Sequence, residues 1–272
     1  DLAGGPRRIA VTDSMPAVHV FGLRDAFPEV AQVLAGPVLR ELRMCKDAAE
    51  IDELRAAGAA IDRVHARMGE FLRVGRTEAD AGADIARALV EEGHTGAAFV
   101  IVASGPNGAS PHHDVSDRVM QHGDMVVVDI GGPLPSGYYS DCTRTYVLGT
   151  EPSPEVRKAY EALQDAQERA VRAAGPGVPA EQVDAAARTV LTEAGLGEYF
   201  IHRTGHGIGL DVHEQPYIVG GNDLALRPGM AFSVEPGVYL EGEWGARIED
   251  IVVVTAEGCE RLNHRPRDLQ VL

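Results

Sequence analysis

The sequence predicts an α+β fold built from two related halves. Three observations carry that expectation: short apolar runs bounded by glycine, each holding an acidic residue; alanine-rich segments of helical composition; and a weak internal repeat. The repeated stretches, 75–93 and 177–195, have equal length. Each opens on a cap-like residue or a proline, runs through an alanine-rich helix, ends on glycine, and precedes a strand and a glycine-rich loop. Such units suggest halves related by a pseudo-two-fold, with site residues from both meeting at the seam.

The opening segment, Arg8 to Leu42, mixes strand-like and helix-like stretches. It is expected to be the remnant of an amino-terminal domain over residues 1–43, ahead of a catalytic domain at 44–272. Ala48 to Val74 reads as helical, because Ile51, Leu54, Ile61, Val64 and Met68 recur on one face. A second helix starts at Thr77, with Thr77 and Asp80 as a capping pair, and ends near Glu92. Ala97 to Val102 is a strand, followed by a glycine- and proline-rich loop through His113. The apolar run from Met125 to Gly132 is the mark of a strand buried on both faces. A loop with Pro133, Pro135 and Gly137 leads to Tyr138–Val147, whose aromatic and β-branched residues predict another strand. Ser153-Pro154 opens a helix to about Ala174, with proline at the favoured first position. Alternating glycines exclude a stable helix over His202 to Gly209. Ala231–Tyr239 and Gly245–Val254 read as strands with an acid among apolar residues.

A net charge of −16 argues against nucleic acid or an anionic membrane surface as partner. No apolar stretch approaches the roughly twenty residues needed to cross a bilayer. The three cysteines, Cys45, Cys142 and Cys259, lack Cys-x-x-Cys spacing, which fits a reducing, cytoplasmic setting. Cys142 is expected to pack into the core on the face of its strand opposite Asp141. His65, His94, His122 and His264 read as surface residues, and His19 has no motif around it.

Five residues in these segments form a hard, mainly carboxylate metal set: Asp129, Asp141, His206, Glu235 and Glu249. Burying an ionised carboxylate without compensation costs several kcal/mol, so an acid inside an apolar strand is protonated, paired or metal-bound. Two divalent cations would cancel the four carboxylate charges, and a water bridging two such ions is a nucleophile at neutral pH. Asp129 and Asp141 lie on strands joined by a short loop, which places them side by side across a sheet.

In these motifs the chain resembles the pita-bread metallopeptidases (family M24), which include methionine aminopeptidase, aminopeptidase P, Xaa-Pro dipeptidase (prolidase) and creatinase. The resemblance covers about residues 44 to 272 and rests on Asp129-Ile130-Gly131-Gly132, Ser140-Asp141-Cys142-Thr143-Arg144-Thr145, Gly205-His206-Gly207-Ile208-Gly209 with His213-Glu214-Gln215-Pro216, Glu235-Pro236-Gly237, and Arg247-Ile248-Glu249-Asp250. It implies a curved, mainly antiparallel sheet backed by helices. It also implies that Asp129 holds one metal, His206 and Glu235 the other, and that Asp141 and Glu249 bridge both. His112 resembles a substrate-contacting histidine, with His113 as its competitor for that role. His213 resembles a second substrate histidine that can polarise the scissile carbonyl. His202 would support it, and Arg247 would pair with a site carboxylate or with the peptide's carboxyl end.

Glu235-Pro236-Gly237-Val238-Tyr239 and the Ser140–Thr145 motif look like the proline-directed branch. The implied reaction is hydrolysis of Xaa-Pro dipeptides, a small peptide with proline second, by a hydroxide bridging two divalent ions, with Glu235 shuttling the proton. Manganese or cobalt is expected, with zinc and iron as alternatives. A homodimer is the family's expectation. The alternatives are aminopeptidase P acting on longer Xaa-Pro peptides, a creatinase-like non-peptide hydrolase, and an inactive binding module. Creatinase-like relatives lack a full carboxylate set, so five intact ligands count against that reading, and loss of ligands would mark the binding module.

Overall fold

The computed structural model describes residues 7–272. They form two compact units that divide between Met44 and Cys45. In the first unit, β1 (Arg8–Val11), α1 (Ala17–Ala26), β2 (Ala31–Leu34) and α2 (Gly36–Met44) follow in order, and β1 pairs with β2 in parallel.

The second unit opens with α3 (Ala48–Ala66), fixed by a reciprocal capping box between Asp47 and Glu50. The helical stretch expected to run to Val74 stops at Ala66 and resumes as the single turn α4 (Met68–Phe71). Helix α5 (Glu78–Glu91) starts as expected, with the Thr77 hydroxyl accepting from the Asp80 amide. Strands β3 (Phe99–Ser104), β4 (Met125–Pro133) and β5 (Tyr139–Val147) form an antiparallel sheet.

Alternation along these strands decides where the acids go. Val126, Val128, Ile130, Cys142 and Tyr146 are buried in one core with Ile61 and Val64 of α3 and Ile85 and Leu89 of α5. Their neighbours Asp129 and Asp141 therefore face away from the helices. Asp129 lies opposite Thr143 and Asp141 opposite Gly131, so the two carboxylates are diagonal neighbours on one face. Cys142 takes the core position expected of it.

The second half follows with α6 (Pro154–Ala173), capped by Ser153 with proline at its start, and α7 (Ala180–Glu193). Then come β6 (Gly205–Gly207), β7 (Glu214–Ile218), β8 (Ala231–Val234), β9 (Gly237–Leu240), β10 (Trp244–Arg247), β11 (Asp250–Val254), β12 (Cys259–Arg261) and β13 (Gln270–Val271). Strands β12, β11, β8, β6 and β7 make a five-stranded sheet, β9 and β10 pair as a hairpin, and β13 joins the edge of the first sheet beside β5. The internal repeat is visible in the backbone. Gly75 and Gly177 before the helices, and Gly93 and Gly195 after them, all have positive φ, at 90°, 83°, 109° and 75°. Thr77 and Pro179 each make an isolated antiparallel bridge, to Val119 and Ala225.

Two expectations need correction. The strands expected over 231–239 and 245–254 are each broken, after Val234 and after Arg247. Pro236 lacks the N–H a ladder requires, and the Glu249 amide turns to the Thr143 carbonyl of the other sheet (3.1 Å). Glu235 and Glu249 thus sit at strand breaks. His65 and His94 are buried, with the His65 ring between the Tyr146 hydroxyl and Cys142 carbonyl and the His94 ring between Leu89 carbonyl and Ser140 hydroxyl. Helical spacing could not show this, because the hydroxyls they meet, on Tyr146 and Ser140, lie far along the chain. His19, His122 and His264 are exposed.

Candidate metal centre

Asp141, His206 and Glu249 bring one ligand atom each to within 4.8 Å of one another, and all three are buried. His206 Nε2 also lies 3.2 Å from Glu235 Oε1 and 3.6 Å from Asp141 Oδ2. Its Nδ1 faces the Gly207 carbonyl at 3.1 Å, so a proton on Nδ1 leaves Nε2 turned to the carboxylates. Glycine on both sides of His206 is steric in origin. A methyl group at Gly205 would overlap the Ser233 carbonyl, and one at Gly207 the Gln215 carbonyl, because β6 lies between β8 and β7.

Each remaining carboxylate is held by one oxygen. Arg247 Nη2 donates to Asp129 Oδ2 (2.6 Å), the Thr143 hydroxyl to Glu249 Oε2 (2.7 Å), and the Ser233 hydroxyl to Glu235 Oε1 (2.9 Å). The opposite oxygens, Asp129 Oδ1 and Glu249 Oε1, are buried with no hydrogen-bond partner. Buried acceptors without donors are costly. Burial pushes the Asp141 and Glu249 carboxyls well above the usual range, and repulsion among the site's carboxylates adds to it. Burial acts on Glu235 in the same direction, but contact with His206 outweighs it and holds that carboxyl at about 2. Oriented carboxylates with bare inner oxygens, beside an imidazole nitrogen, fit a divalent cation. The donor set is the oxygen-rich kind that hard or borderline divalent ions take.

All five expected ligands line a single cavity of about 860 Å³, together with His112, His113, His202, His213 and Arg247. Phe99, Ile101 and Val212 give it an apolar side. The His213 and His206 rings meet edge to face at 4.2 Å. Burial, with His206 and Arg203 nearby, lowers His213 to about 4, which keeps it neutral at physiological pH. His202 is likewise lowered, chiefly by burial. Its Nδ1 faces the Arg203 carbonyl and its Nε2 the Tyr239 hydroxyl, which in turn accepts from Arg247 Nη1 (2.7 Å). Of the two partners expected for Arg247, the structure places it on a site carboxylate, Asp129, and its other donors go to Thr143, Tyr239 and Pro111.

Sequence reasoning missed the orienting hydroxyls. Thr143 and Ser233 each stand two residues from an expected ligand, Asp141 and Glu235, and that spacing was the available signal. Tyr239 lies too far from His202 in the chain to be linked to it without coordinates.

The profile of metallopeptidase family M24 matches residues 52–256. The chain belongs to this family. As an M24 protein it is a peptidase, and the names of similar proteins agree. It is 64% identical to the probable dipeptidase PepE of Mycobacterium tuberculosis over 100% of this chain and 72% of that one. It is 41% identical to an Xaa-Pro dipeptidase of Lactobacillus helveticus, covering 96% of this chain and 71% of that one. Among solved structures, an X-Pro aminopeptidase from Thermotoga maritima superimposes with a TM-score of 0.92 at 38% identity, over 98% of this chain and 75% of that one. The M24 chain therefore has the pita-bread fold, mixed helices and antiparallel sheets in two halves with the carboxylate cluster between them.

Proposed function

We propose that this M24 chain hydrolyses the bond before proline in Xaa-Pro dipeptides. The observation that carries the reading is the cluster of oriented carboxylates and His206 in one cavity, in a chain similar to a relative named Xaa-Pro dipeptidase. Asp129, Asp141, His206, Glu235 and Glu249 would hold two divalent ions, manganese or cobalt for preference. Bound ions would supply a Lewis acid and an activated water.

The chain's own groups do the rest. Glu235 takes the proton of the attacking water on one carboxylate oxygen and delivers it to the proline nitrogen. Neutral His213 donates an N–H to the oxyanion that develops on the scissile carbonyl. His112 contacts the substrate, and His202 lies beside it in the cavity wall, held by the Tyr239 hydroxyl that also accepts from Arg247. Arg247 holds Asp129 in place. Phe99, Ile101 and Val212 present an apolar surface suited to a proline ring.

The test strips the protein with chelator, restores manganese or cobalt, and measures proline release from an Xaa-Pro dipeptide beside cleavage of an Xaa-Pro-Yaa tripeptide. Metal-dependent dipeptide cleavage is expected. Cleavage of the tripeptide alone would favour the second reading, aminopeptidase activity on longer peptides, which the likeness to an X-Pro aminopeptidase supports. Silence on both with metal bound would overturn the proposal.

A further inference from the structure

The Glu78 carboxylate is fully buried in the first turn of α5, and no step above uses it. An ionised group at that depth requires compensation. Oε1 accepts from the Ser104 amide and hydroxyl, both at 2.7 Å, and from the Asn107 side chain at 3.1 Å. Oε2 accepts from the Ser116 hydroxyl at 2.6 Å and meets His113 Nε2 at 2.9 Å. Burial alone would raise the Glu78 carboxyl, but these hydrogen bonds outweigh it and hold it below the usual range. The helix N-terminus adds favourable partial charge.

All of these partners belong to residues 104–116, a segment whose one regular element after Ser104 is the short 3₁₀ turn Gly105–Ala109. The same segment carries His112 to the cavity. His112 sits between two tethers, with Arg247 Nη1 donating to the Pro111 carbonyl (3.3 Å) on one side and His113 on Glu78 on the other. A third hold is steric, since Gly108 packs against Gly245 so closely that a methyl group at Gly245 would overlap the Gly108 carbonyl.

We propose that Glu78 is a positioning residue for catalysis: by gathering this loop around one buried carboxylate, it fixes His112 against the substrate. The adjacent histidines divide the work, His112 toward the cavity and His113 toward the anchor. The proposal rests on the reading of His112 as a substrate contact.

A mutant cycle on the metal-loaded enzyme with an Xaa-Pro dipeptide tests it, using Glu78→Ala, His112→Ala, the double variant and Glu78→Gln. Each single alanine variant is expected to lower kcat/KM by about tenfold to a hundredfold at unchanged metal content. The double variant is expected to be no worse than His112→Ala alone. Glu78→Gln should recover most of the loss, because it keeps an acceptor for Ser104 and Asn107. Losses that multiply in the double variant, or a Glu78→Ala enzyme with unchanged kcat/KM, would overturn the role of Glu78 while leaving His112 in place. Wild-type kinetics in His112→Ala would instead sink the reading of His112 itself. Should Glu78→Ala fail to fold, Ser116→Ala and His113→Gln each remove one tether and enter the same cycle.

Discussion

Three of the four acidic ligand candidates accept a hydrogen bond from an orienting donor on one oxygen. Asp129 has Arg247, Glu249 has Thr143 and Glu235 has Ser233, while Asp129 Oδ1 and Glu249 Oε1 are buried without a hydrogen-bond partner. Asp141 stands in the middle of the cluster, so Asp141→Asn removes charge where two ions would share it. Measured metal per chain is expected to fall, and hydrolysis to drop below about a hundredth of the wild-type rate, a larger loss than removal of an orienting neighbour causes. A variant that keeps full metal content and activity would refute the assignment. His65 tells the opposite story. Its ring is the partner of the Tyr146 hydroxyl and the Cys142 carbonyl inside the core. His65→Ala is expected to lower the unfolding free energy in urea by about 2–4 kcal/mol through a cavity and two unpaired groups. No residue pattern around His65 announces this, because a histidine on a helix looks the same in sequence whether its face is covered or wet.

At the scale of elements, the site depends on strands that end or narrow where they do. β8 ends at Val234, and beyond Pro236 the chain starts the separate β9–β10 hairpin at Gly237, so that Glu235 is left at the break. The short β6 fits between β7 and β8 only with glycine on either side of His206. Gly205→Ala is expected to push β6 off the Ser233 carbonyl, costing about 1–3 kcal/mol of stability and moving His206 out of line. Weaker metal retention in dialysis, together with a lower melting temperature, would report both effects. An alanine variant that melts and binds metal like the wild type would show that β6 has room the structure does not give it. Most helices, the caps at Thr77 and Ser153 and the β4–β5 hairpin were legible in the sequence, since capping residues and apolar runs act locally. The breaks at Glu235 and Ile248 were not, because an acid among apolar residues reads the same within a strand and at its end.

For the unit Cys45–Leu272 as a whole, acid should be destabilising, and the sign follows from the buried groups. Burial lowers His65 to about 3 in the folded protein, against about 6.5 for an exposed imidazole. Below that upper value the unfolded chain binds a proton that the folded chain does not. Stability is therefore full above about pH 6.5 and declines toward pH 3, by up to about 1.4 kcal/mol per pH unit from this group. Glu168 acts in the same direction. Burial opposes its charge, but Arg267 and Arg261 win and hold it at about 2, so its contribution is lost as pH falls below its ordinary value of 4.5. Urea unfolding of the wild type and of His65→Gln across pH 7 to 5 should show a shallower decline in the variant, by about 2 kcal/mol over that interval. Parallel curves would mean that the folded protein protonates His65 without cost.

By itself, the amino-acid order determined the class of fold, the two halves, most helices and strands, and the five acid and imidazole residues that line one cavity. Those features are written in local periodicity, capping residues and short motifs, which act within a few residues of where they stand. Only the tertiary structure decided that Arg247 serves Asp129, that His65 and His94 are core residues, that the hydroxyls of Thr143 and Ser233 orient carboxylates, and that His113 turns to a buried Glu78. Apart from Ser233 and Glu235, these partners lie far apart along the chain, and hydrogen bonds between such groups are settled by how the two sheets pack around the cavity, which short-range pattern does not encode.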